Sequence, residues 1–303
     1  NKMGWLNALP GAIAQGIIWG IMAIGVYITY KVLDIADLTV DGSICTGAAV
    51  CTMLVISGVN VWLAMLAALA AGMAAGLLTG VFHTFMGIPA ILAGILTQLI
   101  LWSVNLKILG KANQALPARN FYVLVTQLKK TQTLLVLAAV SIVLIAVLYW
   151  FFGTELGSSI RSTGCNISMS RAQGINTDFN KILGLMLSNG IVALAGALLA
   201  QYQGSADINM GRGAIVIGLA AVIIGEAVFS RISRNFIVRL LGVICGGIIY
   251  YIVYQTVIFF GLDTDLLKML SALVVAFFLA VPYWKGKYIS SGRRKGDGGN
   301  AGA

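Results

Sequence analysis

Long runs of apolar residues, separated by short polar stretches, follow one another along the whole chain. Each run approaches the roughly 20 apolar residues that an α-helix needs to cross the hydrocarbon core of a bilayer. The pattern therefore predicts an all-α polytopic membrane protein with about nine membrane segments, at residues 9–30, 38–56, 60–82, 88–106, 133–153, 181–203, 213–229, 236–259 and 266–284.

Two of these segments differ from the others. The runs 38–56 and 213–229 are short and glycine-rich, and polar residues precede each of them. Irregular backbone at membrane depth is tolerated only where protein or water satisfies its polar groups. We therefore expect these two runs to be broken or re-entrant helices rather than simple spans.

A similar polar motif leads into both short segments. Residues 37–42 read Asp-Leu-Thr-Val-Asp-Gly, and residues 207–213 read Asp-Ile-Asn-Met-Gly-Arg-Gly. An odd number of predicted crossings separates the two copies, so they would lie in opposite senses across the membrane. Inverted repeats with interrupted helices are a recurring transporter architecture, with the pathway at the repeat interface. We therefore expect an inverted repeat, with candidate pathway or helix-break residues at Asp37, Asp41, Gly42, Asp207 and Gly213.

The acidic residues of these motifs have a simpler interpretation as well. Asp37 and Asp41 can cap the helix that begins near Gly42. Asp207 can do the same for the helix after Gly213. The sequence favours capping over direct contact with a transported solute.

Other polar residues lie inside the apolar segments or at their ends. Glu226 is near the end of one segment, where we expect it to pair with Arg231 or Arg234 at the membrane surface. Five uncharged polar residues can either hydrogen-bond between helices or line a path, and the sequence leaves both interpretations open: Gln15, Gln98, Asn105, Asn189 and Gln255.

Residues 157–181 form a polar, basic stretch between two long apolar segments, and we call this stretch the polar island. Asn166 or Ser168 can cap a short helix over residues 169–173. Gly174 can then end that helix in the left-handed conformation. The pattern predicts a short helix held against the membrane surface, and the alternative is an ordinary solvated loop.

The next long helix is predicted to begin at the end of the polar island. Thr177 and Asp178 have the character of a cap and a first turn, and the carboxylate of Asp178 would be favourable at the positive end of that helix.

Composition and charge agree with a membrane protein. Of the 303 residues, 59% are hydrophobic and only 10% are charged, against about a quarter charged in soluble domains. The net charge of +10 is not a nucleic-acid signal, because no basic face with interleaved aromatic residues is present. Five basic residues instead follow the last apolar run, namely Lys285, Lys287, Arg293, Arg294 and Lys295. We expect the basic tail 288–303 to be disordered.

Basic residues near segment ends indicate the cytoplasmic side. They cluster in the polar island, in the link after residue 229 and in the tail, so we place these parts and the C-terminus in the cytoplasm. Tyr202–Arg212 and the N-terminus are then outside. Residues 107–132 carry five basic residues, yet the count places them outside too. Either this stretch evades the rule or one predicted segment does not cross.

The sequence contains no GxxxxGK[ST] phosphate loop and no plausible Ser/His/Asp or Cys/His constellation. The single histidine and the scattered cysteines have no metal-ligand spacing. We therefore expect a chain that is not an enzyme and that binds no cofactor or metal of its own.

Several separated motifs resemble one family, the permease subunits of bacterial ATP-driven (ABC) importers of the branched-chain amino acid and ribose type. The motifs are Asp37-Leu-Thr-Val-Asp-Gly42, Arg171-Ala-Gln-Gly-Ile-Asn176 and Ser188 with Ala195-Gly-Ala197. Two further stretches, Ile88-Pro-Ala-Ile-Leu-Ala-Gly94 and Asn105-Leu-Lys-Ile-Leu-Gly-Lys-Ala-Asn113, are similar to a subgroup described as tryptophan/tyrosine importers.

The resemblance implies a permease domain over 1–287 with an inverted-repeat permease fold, in a bacterial inner or plasma membrane. It implies a second permease chain as a homodimer partner, two cytoplasmic ATPase subunits that hold ATP and Mg²⁺, and an extracytoplasmic binding protein that delivers an amino acid, with an aromatic one favoured. The polar island would be the segment that couples to the ATPase. The coupling residues would be Arg171, Ala172, Gly174, Ile175 and Asn176.

Two other classes of function remain open on the sequence. In an ion-coupled secondary transporter, acidic residues such as Asp37, Asp41, Asp207 or Glu226 would couple an ion to the solute. In a membrane scaffold there would be no solute flux at all.

Overall fold

The computed structural model describes residues 2–117, 121–229 and 235–259, together with six helical positions between 269 and 280. The elements in this part of the chain are α1 (Lys2–Tyr27), α2 (Val40–Ile56), α3 (Val61–Thr84), α4 (Ala90–Leu109), β1 (Asn113–Ala115), α5 (Lys130–Gly153), α6 (Glu155–Cys165), α7 (Ile167–Ala172), α8 (Thr177–Gln203), β2 (Ser205–Asp207), α9 (Ala214–Phe229) and α10 (Phe236–Phe259). A single π-helical turn, Ile28–Val32, extends α1.

Six of these helices are long and apolar enough to cross a membrane: α1 with its π-helical turn, α3, α4, α5, α8 and α10. The helices α2 and α9 have only 17 and 16 residues and are not among the six. The first eight predicted segments therefore each correspond to one helix, but two of the eight are not full spans. The predicted segment 266–284 and the tail 288–303 lie outside the described residues, apart from the six helical positions.

The core is built around α8, which the backbones of its neighbours approach very closely. A Cβ atom at Gly47 or Gly196 would collide with the backbone where α2 crosses α8, and one at Gly72 or Gly76 would collide where α3 crosses it. Small residues allow such contacts between transmembrane helices, where dispersion and hydrogen bonds replace the hydrophobic effect as the driving force. The high glycine content of the chain thus reflects helix packing.

The two ends of the bundle carry different structures. The polar island, with α6 and α7, precedes α8 at one end, which we call the island end. Strands β1 and β2 pair antiparallel at the other end of α8, which we call the strand end. The strands correct the all-α prediction in this detail. They also place residues 113–115 opposite the polar island, on the side to which the count of segments assigned them.

The short helices begin inside the bundle. After the π-helical turn the chain turns back, and Asp37 and Ser43 bond to Asn189, the thirteenth of the 27 residues of α8. Helix α2 therefore begins about halfway along α8 and runs to the strand end.

Helix α9 begins beside the first turn of α2, where the N–H groups of Gly213 and Ile215 bond to Asp41. It runs to the island end, where Glu226 contacts Lys31. The stretch from Ala214 to Glu226 spans about 18 Å at 1.5 Å per residue, which is half of the roughly 36 Å of the span Leu9–Val32. The two short helices thus start close together at mid-depth and run to opposite ends.

Candidate functional site

The polar island is a compact pair of helices rather than an open loop. As predicted, Asn166 caps α7, accepting a hydrogen bond from the N–H of Met169 at 3.0 Å. Gly174 has φ +80°, and the N–H of Ile175 bonds back to the carbonyl of Ser170 at 3.0 Å. This is the left-handed helix end that the sequence indicates. Helix α6 precedes it and was not predicted.

The cap of α8 differs from the prediction by one residue. The side chain of Asn176 accepts a hydrogen bond from the N–H of Phe179 at 3.0 Å, so Asn176 is the cap and Thr177 is the first helical residue. Asp178 lies in the first turn, as expected. Asn and Thr are both good caps, so their order could not be decided from sequence.

Arg171 fastens α7 to the start of α8. Its Nε donates to the hydroxyl of Thr177 at 2.9 Å, and its Nη2 lies 3.4 Å from Oδ1 of Asp178. The hydroxyls of Ser162 and Ser170, 2.9 Å apart, join α6 to α7. These bonds hold the island in one shape.

The island is also joined to the helices of the bundle. On α6, the guanidinium of Arg161 donates to the carbonyl of Phe152 at 2.9 Å. Its central carbon lies 4.7 Å from the ring centre of Phe236 at the start of α10, close enough for a cation–π interaction. A displacement of the polar island would therefore also displace α5 and α10.

The side of the island away from the bundle is open to a partner. Arg171, Ala172, Gly174 and Asn176 are exposed, and Ile175 is half-buried. Three apolar side chains are exposed beside them: Ile167, Met169 and Phe179. All five residues proposed for coupling thus lie on or beside one mixed polar and apolar surface.

A second group of polar residues is buried at mid-depth. Asp37 is only 2% exposed; its Oδ2 accepts from the amide of Asn189 at 2.7 Å, and its Oδ1 accepts from the N–H of Thr39 at 2.9 Å. The hydroxyl of Ser43 donates to Oδ1 of Asn189 at 2.6 Å. Asn189 therefore links α8 to the start of α2. The buried carboxylate of Asp37 holds the chain where it enters α2 and faces no open path.

Asp41 does not cap its own helix, contrary to the prediction. Its two carboxylate oxygens accept from Gly213 N at 3.0 Å and Ile215 N at 2.9 Å, so Asp41 caps α9. Asp207 does not cap α9 either; it accepts from the N–H of Asn209 at 2.7 Å within the preceding turn. Gly213 has φ +82°, which suits the sharp turn before α9.

Gly42 has a packing role. A Cβ at Gly42 would lie 2.9 Å from the Cδ1 of Leu101 and 3.3 Å from the Cα of Gln98 on α4, so a larger residue would force the Leu101 side chain to move. Gly42 is thus a site of close helix contact one residue after Asp41.

Replacing Asn189 by leucine should destabilise the bundle. The substitution leaves the buried Asp37 carboxylate and the Ser43 hydroxyl without their partner, and each unsatisfied buried group costs about 1–3 kcal/mol. We expect a clearly lower melting temperature in detergent, measured by loss of the monodisperse peak after heating.

Thr52→Val provides the matched control, because it also removes a buried polar group. Among the described residues the Thr52 hydroxyl has no hydrogen-bond partner. The near-isosteric valine should therefore leave the melting temperature unchanged or raise it. Equal melting temperatures for Asn189→Leu and the wild type would contradict the bonding described above.

The island end of α9 carries an ion pair and a cavity. Nζ of Lys31 lies 3.0 Å from Oε2 of Glu226, a partner that the sequence did not indicate; the predicted partners Arg231 and Arg234 lie outside the described residues. A cavity of about 410 Å³ opens beside this pair, lined also by Ile223, Ala227 and Arg239. Within the described ranges no group of three His, Cys, Asp or Glu residues could hold a metal ion.

Comparison with known proteins agrees with this architecture. A family model described as "Branched-chain amino acid transport system / permease component" matches residues 9–279. The chain is 40% identical over 276 residues to a tyrosine transport system permease protein of Clostridioides difficile, covering 91% of both chains. It is 29% identical over 185 residues to the autoinducer 2 import system permease protein LsrC of Escherichia coli, covering 57% of this chain and 50% of LsrC.

Among solved structures, the fold is similar to that of PsaBC from Streptococcus pneumoniae in complex with Fab. The TM-score is 0.50 at 16% identity, and the alignment covers 91% of this chain and 89% of that one. The family match over most of the chain confirms the resemblance seen in the motifs. The chain therefore belongs to the branched-chain amino acid transport system permease family, and it is a multi-pass membrane permease component of an ABC-type transporter.

Proposed function

We propose that this chain is the permease subunit of an ATP-driven importer for an aromatic amino acid, with tyrosine as the first candidate. The observation that carries the proposal is the 40% identity to a tyrosine transport permease over nearly the whole of both chains. The chain has no phosphate loop, so ATP and Mg²⁺ would be held by a separate ATPase subunit.

The polar island is the proposed docking surface for that ATPase. Its exposed face carries Arg171, Ala172, Gly174 and Asn176. The bonds from Arg171 to α8 and from Arg161 to α5 hold this face in a fixed relation to the bundle. A fixed surface can transmit a displacement, whereas a flexible loop would absorb it. In this proposal the island end is cytoplasmic, the strand end faces a binding protein, and the C-terminus is in the cytoplasm as well.

The pathway would lie between two copies of the chain, and within each copy we propose an inverted repeat. The support is that α2 and α9 both follow a long helix and a polar motif, begin next to one another and run to opposite ends of the bundle. A second, different permease in the purified complex would overturn the homodimer.

Uptake into proteoliposomes tests the proposed function. With the permease, its ATPase and its binding protein reconstituted, we expect labelled tyrosine to accumulate only with internal ATP, and to do so after ionophores have collapsed all ion gradients. Uptake that needs a gradient and no ATP would instead establish the secondary transporter. The absence of any flux with a panel of amino acids would favour the scaffold.

A further inference from the structure

Arg212 lies at mid-depth in the bundle, at the start of α9. The residues on either side of it are fixed there: Gly211 N donates to the sulfur of Cys45 at 3.2 Å, and Gly213 N donates to Asp41 at 3.0 Å. The pattern of apolar segments predicts Arg212 in a loop outside the membrane. The structure instead places it beside the first turn of α2, two residues before Ala214, which is about 18 Å along α9 from Glu226.

The side chain of Arg212 is exposed at this depth. The ion pairs in the described part of the chain are Lys31–Glu226 and Arg171–Asp178, and Arg212 takes part in neither. An arginine exposed to hydrocarbon at mid-bilayer is strongly unfavourable, so intramembrane charges face cavities or partners. The surface around Arg212 therefore faces something other than lipid.

That surface continues along α9 toward the island end. Val216, at i+4 from Arg212, is 40% exposed, and Ile223 and Ala227 follow at i+11 and i+15 on the same side of the helix. Ile223 and Ala227 line the cavity of about 410 Å³ that contains the Lys31–Glu226 pair. One open side of α9 thus leads from a cation at mid-depth to a charged cavity at one end.

The guanidinium of Arg212 is the group here that can bind an anion, because the backbone N–H groups at the start of α9 already have a partner. Asp41 already accepts from the N–H groups of Gly213 and Ile215, so these amides cannot also bind an anion. The guanidinium of Arg212 can bind a carboxylate with two parallel hydrogen bonds.

We propose that Arg212 lines the translocation pathway and binds the carboxylate of the amino acid as it passes mid-depth. The inference rests on the proposed function, since it names a binding site for that solute. It identifies the carboxylate as the group recognised inside the membrane, whatever side chain the binding protein selects.

Uptake by charge-removing variants tests the binding role. Arg212→Gln should lower ATP-driven tyrosine uptake about tenfold or more, the loss expected for a hydrogen bond to a charged group. Arg212→Lys keeps the charge but not the paired geometry and should be intermediate. Lys129→Gln, which removes an exposed charge at the strand end, is the control and should behave as wild type.

The outcomes separate the two proposals. If the wild type takes up tyrosine and Arg212→Gln does so equally well, Arg212 has no such role while the proposed function stands. If Arg212→Gln instead loses the second permease chain or the ATPase from the purified complex, Arg212 is an assembly residue and the inference fails. No tyrosine uptake by the wild type overturns both the solute assignment and the inference.

Water access at Arg212 is tested without any solute. An Arg212→Cys variant, with the more accessible cysteines removed by Cys165→Ser and Cys245→Ser, should react with a charged thiol reagent in the assembled complex. The matched position is Ile142, which is 64% exposed and lies midway along α5. Ile142→Cys faces lipid and should stay unmodified. Equal, slow reaction at both positions would overturn the pathway assignment.

Discussion

Replacing Gly174 by valine should release the ATPase from the permease while the chain still inserts into the membrane. Gly174 has φ +80°, and a residue with a side chain pays about 1–2 kcal/mol to adopt that conformation, more if it is β-branched. A Cβ at this position would meet no atom within 4 Å, so crowding contributes nothing. The ATPase would be released because the substitution weakens the hydrogen bond from the N–H of Ile175 to the carbonyl of Ser170, which shapes the end of α7.

Copurification of the ATPase with tagged permease measures this effect, together with solute-stimulated ATP hydrolysis. We expect both to fall at least severalfold. Gly153→Val is the matched control: a Cβ there also meets nothing within 4 Å, and Gly153 does not have a positive φ. Normal copurification of the ATPase and normal stimulation of ATP hydrolysis in Gly174→Val would show that the polar island is not the docking surface.

Replacing Asp41 by alanine should abolish most transport without releasing the ATPase. The substitution leaves the N–H groups of Gly213 and Ile215 unpaired at mid-depth, at a cost of about 1–3 kcal/mol for each. The start of α9 would then shift or fray, and with it the surface that carries Arg212. We expect uptake to fall more than tenfold and the melting temperature to drop. The polar island is untouched by this change, so copurification should be intact.

Asp207→Ala serves as the comparison for Asp41→Ala. Asp207 accepts one hydrogen bond, from Asn209, and it lies in the strand pair at the strand end, where water can replace the carboxylate. Uptake should therefore change little. Loss of the ATPase from Asp41→Ala, or unchanged uptake in that variant, would contradict the role given to Asp41.

Local features of this protein could be predicted because their bonds join near neighbours. The helix α7, its cap at Asn166 and its end at Gly174 all depend on hydrogen bonds between residues three to five positions apart. The long apolar segments were predicted for a related reason, since a helix satisfies its backbone within itself. The polar entry into 38–56 and 213–229 likewise indicated that these helices are not full spans.

The partners of three acidic residues could not be predicted in this way. Asp37 bonds to a residue 152 positions away, Asp41 to one 172 positions away, and Glu226 to one 195 positions away. Capping of the helix that follows was the local interpretation for Asp41, and its bonds to α9 replace it. A single sequence contains no record of such pairs.

Residues 107–132 illustrate a different limit. Basic residues occur both here and in the polar island, whereas the pairing of Asn113 with Asp207 puts β1 at the end of the bundle opposite the polar island. The bias of positive charge toward the cytoplasm is a statistical rule for short loops, and a backbone ladder fixes a position directly.

The bonds from Asp41 to α9 also bear on how the chain enters the membrane during synthesis. Helix α2 leaves the ribosome about 170 residues before the amides that satisfy its carboxylate, and a lone carboxylate at mid-bilayer costs about 3 kcal/mol or more. Helix α2 therefore carries this cost until α9 is inserted, and the amides of Gly213 and Ile215 then remove it.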